Sequence, residues 1–374
     1  MLKTPCNSNS AAINIPCLTL QFTKPVYLLI LQYLHCFVNI ILFLKIGNYF
    51  IVVIMEINKT QPESQTESGK SDSQEEEKPL GPKTAVVSII GRPSAGKSTF
   101  LNTASGEKIS IVSSIPQTTR NAIKGIVNTS LGQLVFVDTP GLHESDKKLN
   151  LKLTKIASDQ IADSDIILYI IDSTRECGEE EELIQKMAEP FKDKLVIAIN
   201  KTEDNRANPQ QAHDFLARTM PDFPKDRVIE MSAKADHNVN DVLKAIYALA
   251  PVAPHLYPEE FYTDQEVDFR ISEIIREQAI NRLEQEIPHA IYVKIEEMKM
   301  KTENHLDVRA YLCVEKDSQK RIVIGKGASM IRSIRVGAIK ECCKVFPYRV
   351  EIDLQVKVDK NWRQNDMTLN KILK

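Results

Sequence analysis

The chain has 374 residues, 26% of them charged, and a formal net charge of -2. That length supports two domains with ample core, and the charge balance excludes a uniformly basic nucleic-acid binder or an acidic tail protein. Seven cysteines contain no C-x-x-C pair and no His/Cys cluster at zinc spacing, so reduced thiols are expected rather than a disulfide framework or a zinc site.

From Val26 to Leu44 the chain reads VYLLILQYLHCFVNIILFL, nineteen mostly apolar residues. That is long enough to span a bilayer, although Gln32, His35 and Asn39 would be costly at depth. No basic region abuts the run and no small-residue cleavage site follows, so it is not a cleaved signal. Met55 opens MEINKTQ like a native start. Residues 1–54 are therefore an apolar N-terminal segment, either an upstream mis-start or a membrane anchor. Residues 55–83 are polar, acidic and poor in aromatics, and read as a disordered linker.

A first domain is expected over residues 84–252. It opens with AVVSIIGRPSAGKSTFL, a buried β-branched strand running into a glycine loop and a helix. Gly91, Arg92, Pro93, Ser94, Ala95, Gly96, Lys97, Ser98 and Thr99 form G-x-x-x-x-G-K-S plus the next residue, the P-loop pattern. Backbone N–H groups and the helix N-terminus suit phosphate. Lys97 is the residue to reach the β- and γ-phosphates, and the Ser98 hydroxyl is a Mg²⁺ ligand. In the loop SIPQTTR, Thr118 or Thr119 is the candidate to complete the Mg²⁺ shell; spacing does not choose between them.

The strand QLVFVDTPG then delivers Asp138, Thr139, Pro140 and Gly141 to a sheet edge where parallel α/β folds place ligands. Asp138 would hold Mg²⁺ through water, and the Gly141 N–H would meet the γ-phosphate. Leu142 stands where a water-orienting Gln is often found, so slow intrinsic turnover is expected; His143 is a possible substitute. Two further buried strands follow, and the second ends in Asn200-Lys201-Thr202-Glu203. This matches the guanine-binding N-K-x-D with Glu203 in the carboxylate place and Asp204 beside it. Ser232-Ala233-Lys234 matches the loop whose N–H contacts guanine O6.

Residues 253–264, with prolines nearby, read as a second linker, and a second domain is expected over 265–374. FRISEIIREQAINRLEQEI is an amphipathic helix that Pro288 should end. AIYVKIEEMKMK and HLDVRAYLCVEK read as antiparallel strands with a turn at Thr302–Asn304. I-G-K-G-A then precedes another helix; it is either a glycine turn or the GXXG loop of a KH module, which clamps an RNA backbone. From Ser318 onward thirteen Lys/Arg face five Asp/Glu, a basic footprint that includes Lys326, Arg332, Arg335 and Lys340.

Together P-Q-T-T-R, D-T-P-G, hydrophobic Leu142, REQAINRLEQEIPHAIYVKIE and the helix–strand–strand–GXXG–helix–strand order resemble the Era family of GTPases over residues 84–364. The resemblance implies a Ras-like P-loop GTPase domain of α/β class, with a mostly parallel six-stranded sheet, followed by an α+β type II KH domain. It implies GTP/GDP and Mg²⁺ as cofactors. It also implies hydrolysis of GTP, with Lys97, Thr119, Asp138 and Gly141 at the reacting phosphate. Gly325, Lys326, Gly327, Ala328, Arg332 and Arg335 become the candidate RNA contacts. The partner implied is small-subunit ribosomal RNA and the assembling small subunit; the protein would be cytoplasmic, monomeric and peripheral on the inner membrane face. Three departures stand out. Glu203 stands where N-K-x-D has Asp, many relatives carry Asn where Ser94 stands, so potassium activation is not expected, and Ala328 replaces the second glycine of GXXG. Two other functions are open on these residues: an RNA-binding scaffold with a drifted nucleotide pocket, and a membrane-anchored GTPase.

Overall fold

The structure, a computed structural model, describes residues 40–46, 49–55, 81–113, 120–139 and 160–372. Ile40–Ile46 (β1) and Tyr49–Met55 (β2) pair antiparallel from Ile40↔Met55 to Ile46↔Tyr49. A helical bilayer span over 26–44 would carry a helix through residues 40–44, and there the chain is extended instead. The β-branched content of IILFLKI and YFIVVIM favours strand pairing. This hairpin belongs to a unit separate from the rest of the chain. Among the described residues, no helix is long and apolar enough to cross a membrane.

In the larger unit, six strands form one sheet in the order β4-β5-β3-β6-β7-β8. They are Lys83–Ile90 (β3), Ile123–Thr129 (β4), Gly132–Asp138 (β5), Ile166–Asp172 (β6), Leu195–Asn200 (β7) and Val228–Glu230 (β8). Only β4 runs antiparallel to its neighbour, β5. The central strands are near-continuous apolar runs because both faces are covered. Ile89, Leu168 and Phe136 point into one core with Phe100 and Ile246; Ile90, Ile167 and Tyr169 point into the other with Ile184 and Phe215. The helices that cover these faces are Lys97–Ser105 (α1), Glu179–Ala188 (α2), Pro209–Thr219 (α3) and Val239–Leu249 (α4).

The 253–264 segment, read as a linker, is laid along the sheet edge. Ile126 N–H donates to Tyr262 O (2.9 Å), and Asn128 Nδ2 donates to Glu259 O (2.8 Å). Gln133 Oε1 accepts from the Leu256 and Tyr257 N–H groups, both at 2.9 Å. An edge strand needs such cover because its outward N–H and C=O groups are otherwise unpaired.

Val267–Ile280 (α5) then packs on a second sheet, ordered β11-β10-β9. Its strands are Tyr292–Thr302 (β9), His305–Val314 (β10) and Arg349–Val358 (β11), with β9 antiparallel and β11 parallel to β10. Asp317–Ile324 (α6) and Ser329–Val345 (α7) complete the module, with a core of Ile271, Ile275, Leu312, Val323, Ile334 and Ile352. α5 stops at Ile280, short of Pro288. The chain tightens where Arg282 and Leu283 N–H both donate to Ala279 O, and Gln285 takes a φ of 57°, which a continuing helix does not allow. The tail is part of the fold: Trp362 and Leu369, the latter on Asp366–Ile372 (α8), are fully buried beside Tyr292 and Cys313.

Candidate nucleotide site and nucleic-acid interface

The loop between β3 and α1 sits at the C-terminal edge of the parallel sheet. Gly91 has φ 149° and Gly96 φ 97°, and a Cβ on Gly96 would lie 2.2 Å from Asn200 Nδ2. The loop can therefore turn only with glycine there. Ser94 adopts the left-handed region at φ 64°. Lys97 is buried and donates to Gly91 O (3.0 Å) and Arg92 O (3.2 Å). Burial pushes its ammonium below the usual lysine range, with Asp138 and Glu181 opposing.

Ser98 Oγ donates to Asp138 Oδ2 at 2.6 Å, and Ser110 Oγ donates to the same oxygen at 2.8 Å. α1 and the end of β5 thus bring together two of the oxygen groups a Mg²⁺ shell requires. Thr139 Oγ1 donates to Ile89 O, fixing the end of β5 to β3. Thr118, Thr119, Pro140, Gly141, Leu142 and His143 lie outside the described residues.

Asn200 joins the phosphate and base sides of the site. Its Nδ2 donates to Ala95 O (2.8 Å), and its Oδ1 accepts from Ala233 N–H (2.9 Å). Thr103 Oγ1 donates to Ala233 O at 2.7 Å, holding the Ser232-Ala233-Lys234 loop against α1. Lys201, at φ 69°, pairs with Asp172 at 2.8 Å. Burial works against the Asp172 charge, but hydrogen bonds from Lys201 and Thr174 hold its carboxyl below the usual range. Glu203 is exposed, whereas Asp204 is held by Arg206, with Nε on Oδ1 and Nη2 on Oδ2, both at 2.9 Å. Of the two carboxylates, only Asp204 is clamped in this way.

The structure turns Arg92 away from the loop it belongs to. Its guanidinium donates to Glu176 O (2.9 Å), Arg175 O (3.1 Å) and Asp172 O (3.2 Å). It also pairs with the fully buried Glu181 of α2 at 3.1 Å. Tyr169 Oη donates to Glu181 Oε1 at 2.7 Å. Arg92 is expected at the nucleotide as one position of the P-loop backbone, and its side chain braces that loop from behind. The four glutamates that open α2 were the available signal, without indicating which is buried.

In the second module, Gly325-Lys326-Gly327-Ala328 joins α6 to α7, with φ values of 74°, 59° and 60° at Gly325, Gly327 and Ala328. Lys326, Arg332 and Arg335 are exposed along the loop and the helix it opens. A Cβ on Gly325 would lie 2.8 Å from Met330 Cβ, while one on Gly327 would meet nothing within 4 Å. Ala328 carries a Cβ in the left-handed region, a strained state for an L-residue. Ala328→Gly is expected to stabilise the chain by about 1 kcal/mol, seen as a higher urea midpoint. His305, Asp307 and Glu351 gather on the outer face of this sheet, but Lys301 already pairs with Asp307. The described cysteines, Cys177, Cys313, Cys342 and Cys343, are all free.

Fold and site define a Ras-like P-loop GTPase domain followed by a KH module. Residues 86–201 match the family described as 50S ribosome-binding GTPase, and residues 286–363 match the KH domain family. The chain is 54% identical to the GTPase Era of Treponema denticola over 290 residues, covering 77% of this chain and 99% of the relative. It is 40% identical to the GTPase Era of Borreliella burgdorferi, covering 78% and 99%. Two solved structures, each 29% identical and covering 78% of this chain and 98% of the other, superpose with TM-scores of 0.73 and 0.74. The first is a point variant of Aquifex aeolicus Era bound to GDP and aluminium fluoride; the second is Era with MgGDPNP and a segment of 16S ribosomal RNA. The chain belongs to the Era family of GTPases. These relatives fit the GTPase function and not a scaffold with a drifted pocket.

Proposed function

We propose that this chain is a GTP-binding and GTP-hydrolysing switch that grips small-subunit ribosomal RNA through its KH module and acts in small-subunit assembly. The observation that carries this is one unit holding both sites, the Asn200-braced P-loop and the GXXG loop with exposed Lys326, Arg332 and Arg335. The Era structure with both a GTP analogue and 16S RNA supports the pairing.

In this function the backbone N–H groups of the Gly91–Thr99 stretch, Pro93 excepted, cradle the phosphates, and Lys97 leaves its own loop carbonyls for the β- and γ-phosphates. Ser98 and Thr118 or Thr119 hold Mg²⁺ directly and Asp138 holds it through water; the bound ion offsets charge that builds on the phosphate oxygens. The Gly141 N–H donates to the γ-phosphate, and hydrolysis releases it. Asn200, Lys201 and Glu203 read the guanine edge, with Ser232, Ala233 and Lys234 closing over O6. Leu142 cannot orient water, so turnover without a partner is slow. The domain limits 84–252 and 265–374 are part of this proposal, as are a cytoplasmic monomer and peripheral membrane contact. Vesicle flotation and sedimentation test the last two.

The central test is displacement of fluorescent GTP, in Mg²⁺, by GTP, GDP and ATP. Guanine nucleotides should compete and ATP should not. Equal competition by ATP, or no binding at all, overturns the function.

A further inference from the structure

A serine outside the sequence motifs touches the carboxylate expected to serve Mg²⁺. Ser110 belongs neither to the P-loop nor to D-T-P-G. It is 1% exposed, and its Oγ donates at 2.8 Å to Asp138 Oδ2, the oxygen that also accepts from Ser98 Oγ at 2.6 Å. Asp138 has no exposure, so its rotamer is set by the groups packed on it rather than by bulk solvent. Ser110 is in turn held by α1. Asn102 Oδ1 accepts from the Ile109 N–H (2.9 Å) and the Ser110 N–H (2.8 Å), and Asn102 Nδ2 donates to Ser110 O (2.8 Å). One side-chain amide thus closes on both backbone groups of Ser110. The Ile109 side chain adds an apolar anchor, buried in the core that holds Phe100 and Leu101 of α1. Ser98 and Asn102 stand four positions apart on α1, one turn along the same face.

We infer that Ser110 is a positioning residue for Mg²⁺ binding, acting through Asp138, and that Asn102 sets its place. This rests on the proposed seat of Mg²⁺ at Ser98 and Asp138. α1 then fixes both sides of that seat: it carries Ser98 directly, and through Asn102 and Ser110 it aims Asp138. A hydroxyl bonded to a carboxylate oxygen is a charge-assisted contact, stronger than a neutral one. With Oδ2 gripped by two hydroxyls, the carboxylate is oriented before the metal arrives. Without the Ser110 bond it gains rotamer freedom that metal binding must remove again, so affinity for the ion falls. A serine that only filled space would affect nucleotide binding with and without the ion alike.

The test follows release of a fluorescent GDP from the full chain as free Mg²⁺ is raised from chelated levels. In the unaltered chain Mg²⁺ should slow release, and the concentration giving half of that effect is read. Ser110→Ala should raise this concentration about tenfold, the loss expected for one hydrogen bond to a charged group. GDP affinity in chelator should stay within about twofold of the unaltered chain, because the lost bond serves the metal seat and not the nucleotide. Saturating Mg²⁺ should restore slow release, and Ser110→Thr, which keeps the hydroxyl, should recover most of the loss. Asn102→Ala should shift the concentration in the same direction, and it carries the test if Ser110→Ala does not fold. An unmoved concentration in the folded variants, or an equal loss of GDP affinity in chelator, overturns the inference and leaves the proposed function standing. Release that ignores Mg²⁺ in the unaltered chain overturns it together with the Ser98–Asp138 seat.

Discussion

Glu203→Ala is expected to abolish most of the preference for GTP over ATP, whereas Asp204→Ala should leave it nearly intact. The two carboxylates are adjacent in sequence but not in state. Asp204 accepts from Arg206 N–H, Nε and Nη2 at 3.0, 2.9 and 2.9 Å, and those bonds hold its carboxyl well below the usual range. To reach a base it would have to leave all three. Glu203 is exposed, carries no such clamp, and stands at the carboxylate place of the Asn200-Lys201 motif. Two hydrogen bonds from guanine to a charged acceptor are worth about 1.5–3 kcal/mol each. Their removal should weaken GTP binding by about a hundredfold or more. ATP binding should hardly move, since adenine offers no matching donors. Glu203→Asp should keep the preference. Competition against fluorescent GTP reads all three variants, and a collapse in Asp204→Ala instead would assign the base to Asp204 and contradict the role of Glu203.

Arg92→Ala should be among the most destabilising single changes in the GTPase domain. It strips the counter-charge from Glu181, which has no exposure, and frees three carbonyls that Arg92 now satisfies. Breaking a buried pair on one side costs about 3–5 kcal/mol. Burial already pushes the Glu181 carboxyl up, with Arg92 opposing. Without Arg92 it should rise further and take a proton. An acid whose folded pKa is raised loses stability as pH climbs from its unfolded value, here near 4.5, toward the folded one. The deficit against the unaltered chain should therefore be smallest in acid and grow to a plateau above the raised value. Urea unfolding followed by circular dichroism from pH 4 to 8 measures it; a flat deficit under about 1 kcal/mol would show that the pair is idle.

How much of this could be read from the chain follows from sequence distance. Asp138, Asn200 and Ser232 were placeable because each follows its own apolar strand, and parallel strands deliver their ends to one sheet edge. The KH element order and the turn near Thr302–Asn304 were legible through alternation. What escaped was long-range. Arg92 meets Glu181 and Arg120 meets Ile291 across stretches in which no local pattern marks the partner. Prolines and polar residues mark 253–264 as a linker, and they carry no signal that it lies on β4. Ala328 was visible as a departure, but its left-handed φ of 60° was not. The end of α5 was set by Gln285 and the tightened turn rather than by Pro288.

The most direct measurement is RNA binding by the full chain in its two nucleotide states. A labelled oligonucleotide of the small-subunit RNA 3′ end, and a scrambled one of equal length, would be titrated with Mg²⁺ and either a non-hydrolysable GTP analogue or GDP. The account predicts tight, sequence-dependent binding with the analogue and weaker binding with GDP. Equal binding of both oligonucleotides, or binding indifferent to the nucleotide, would contradict it.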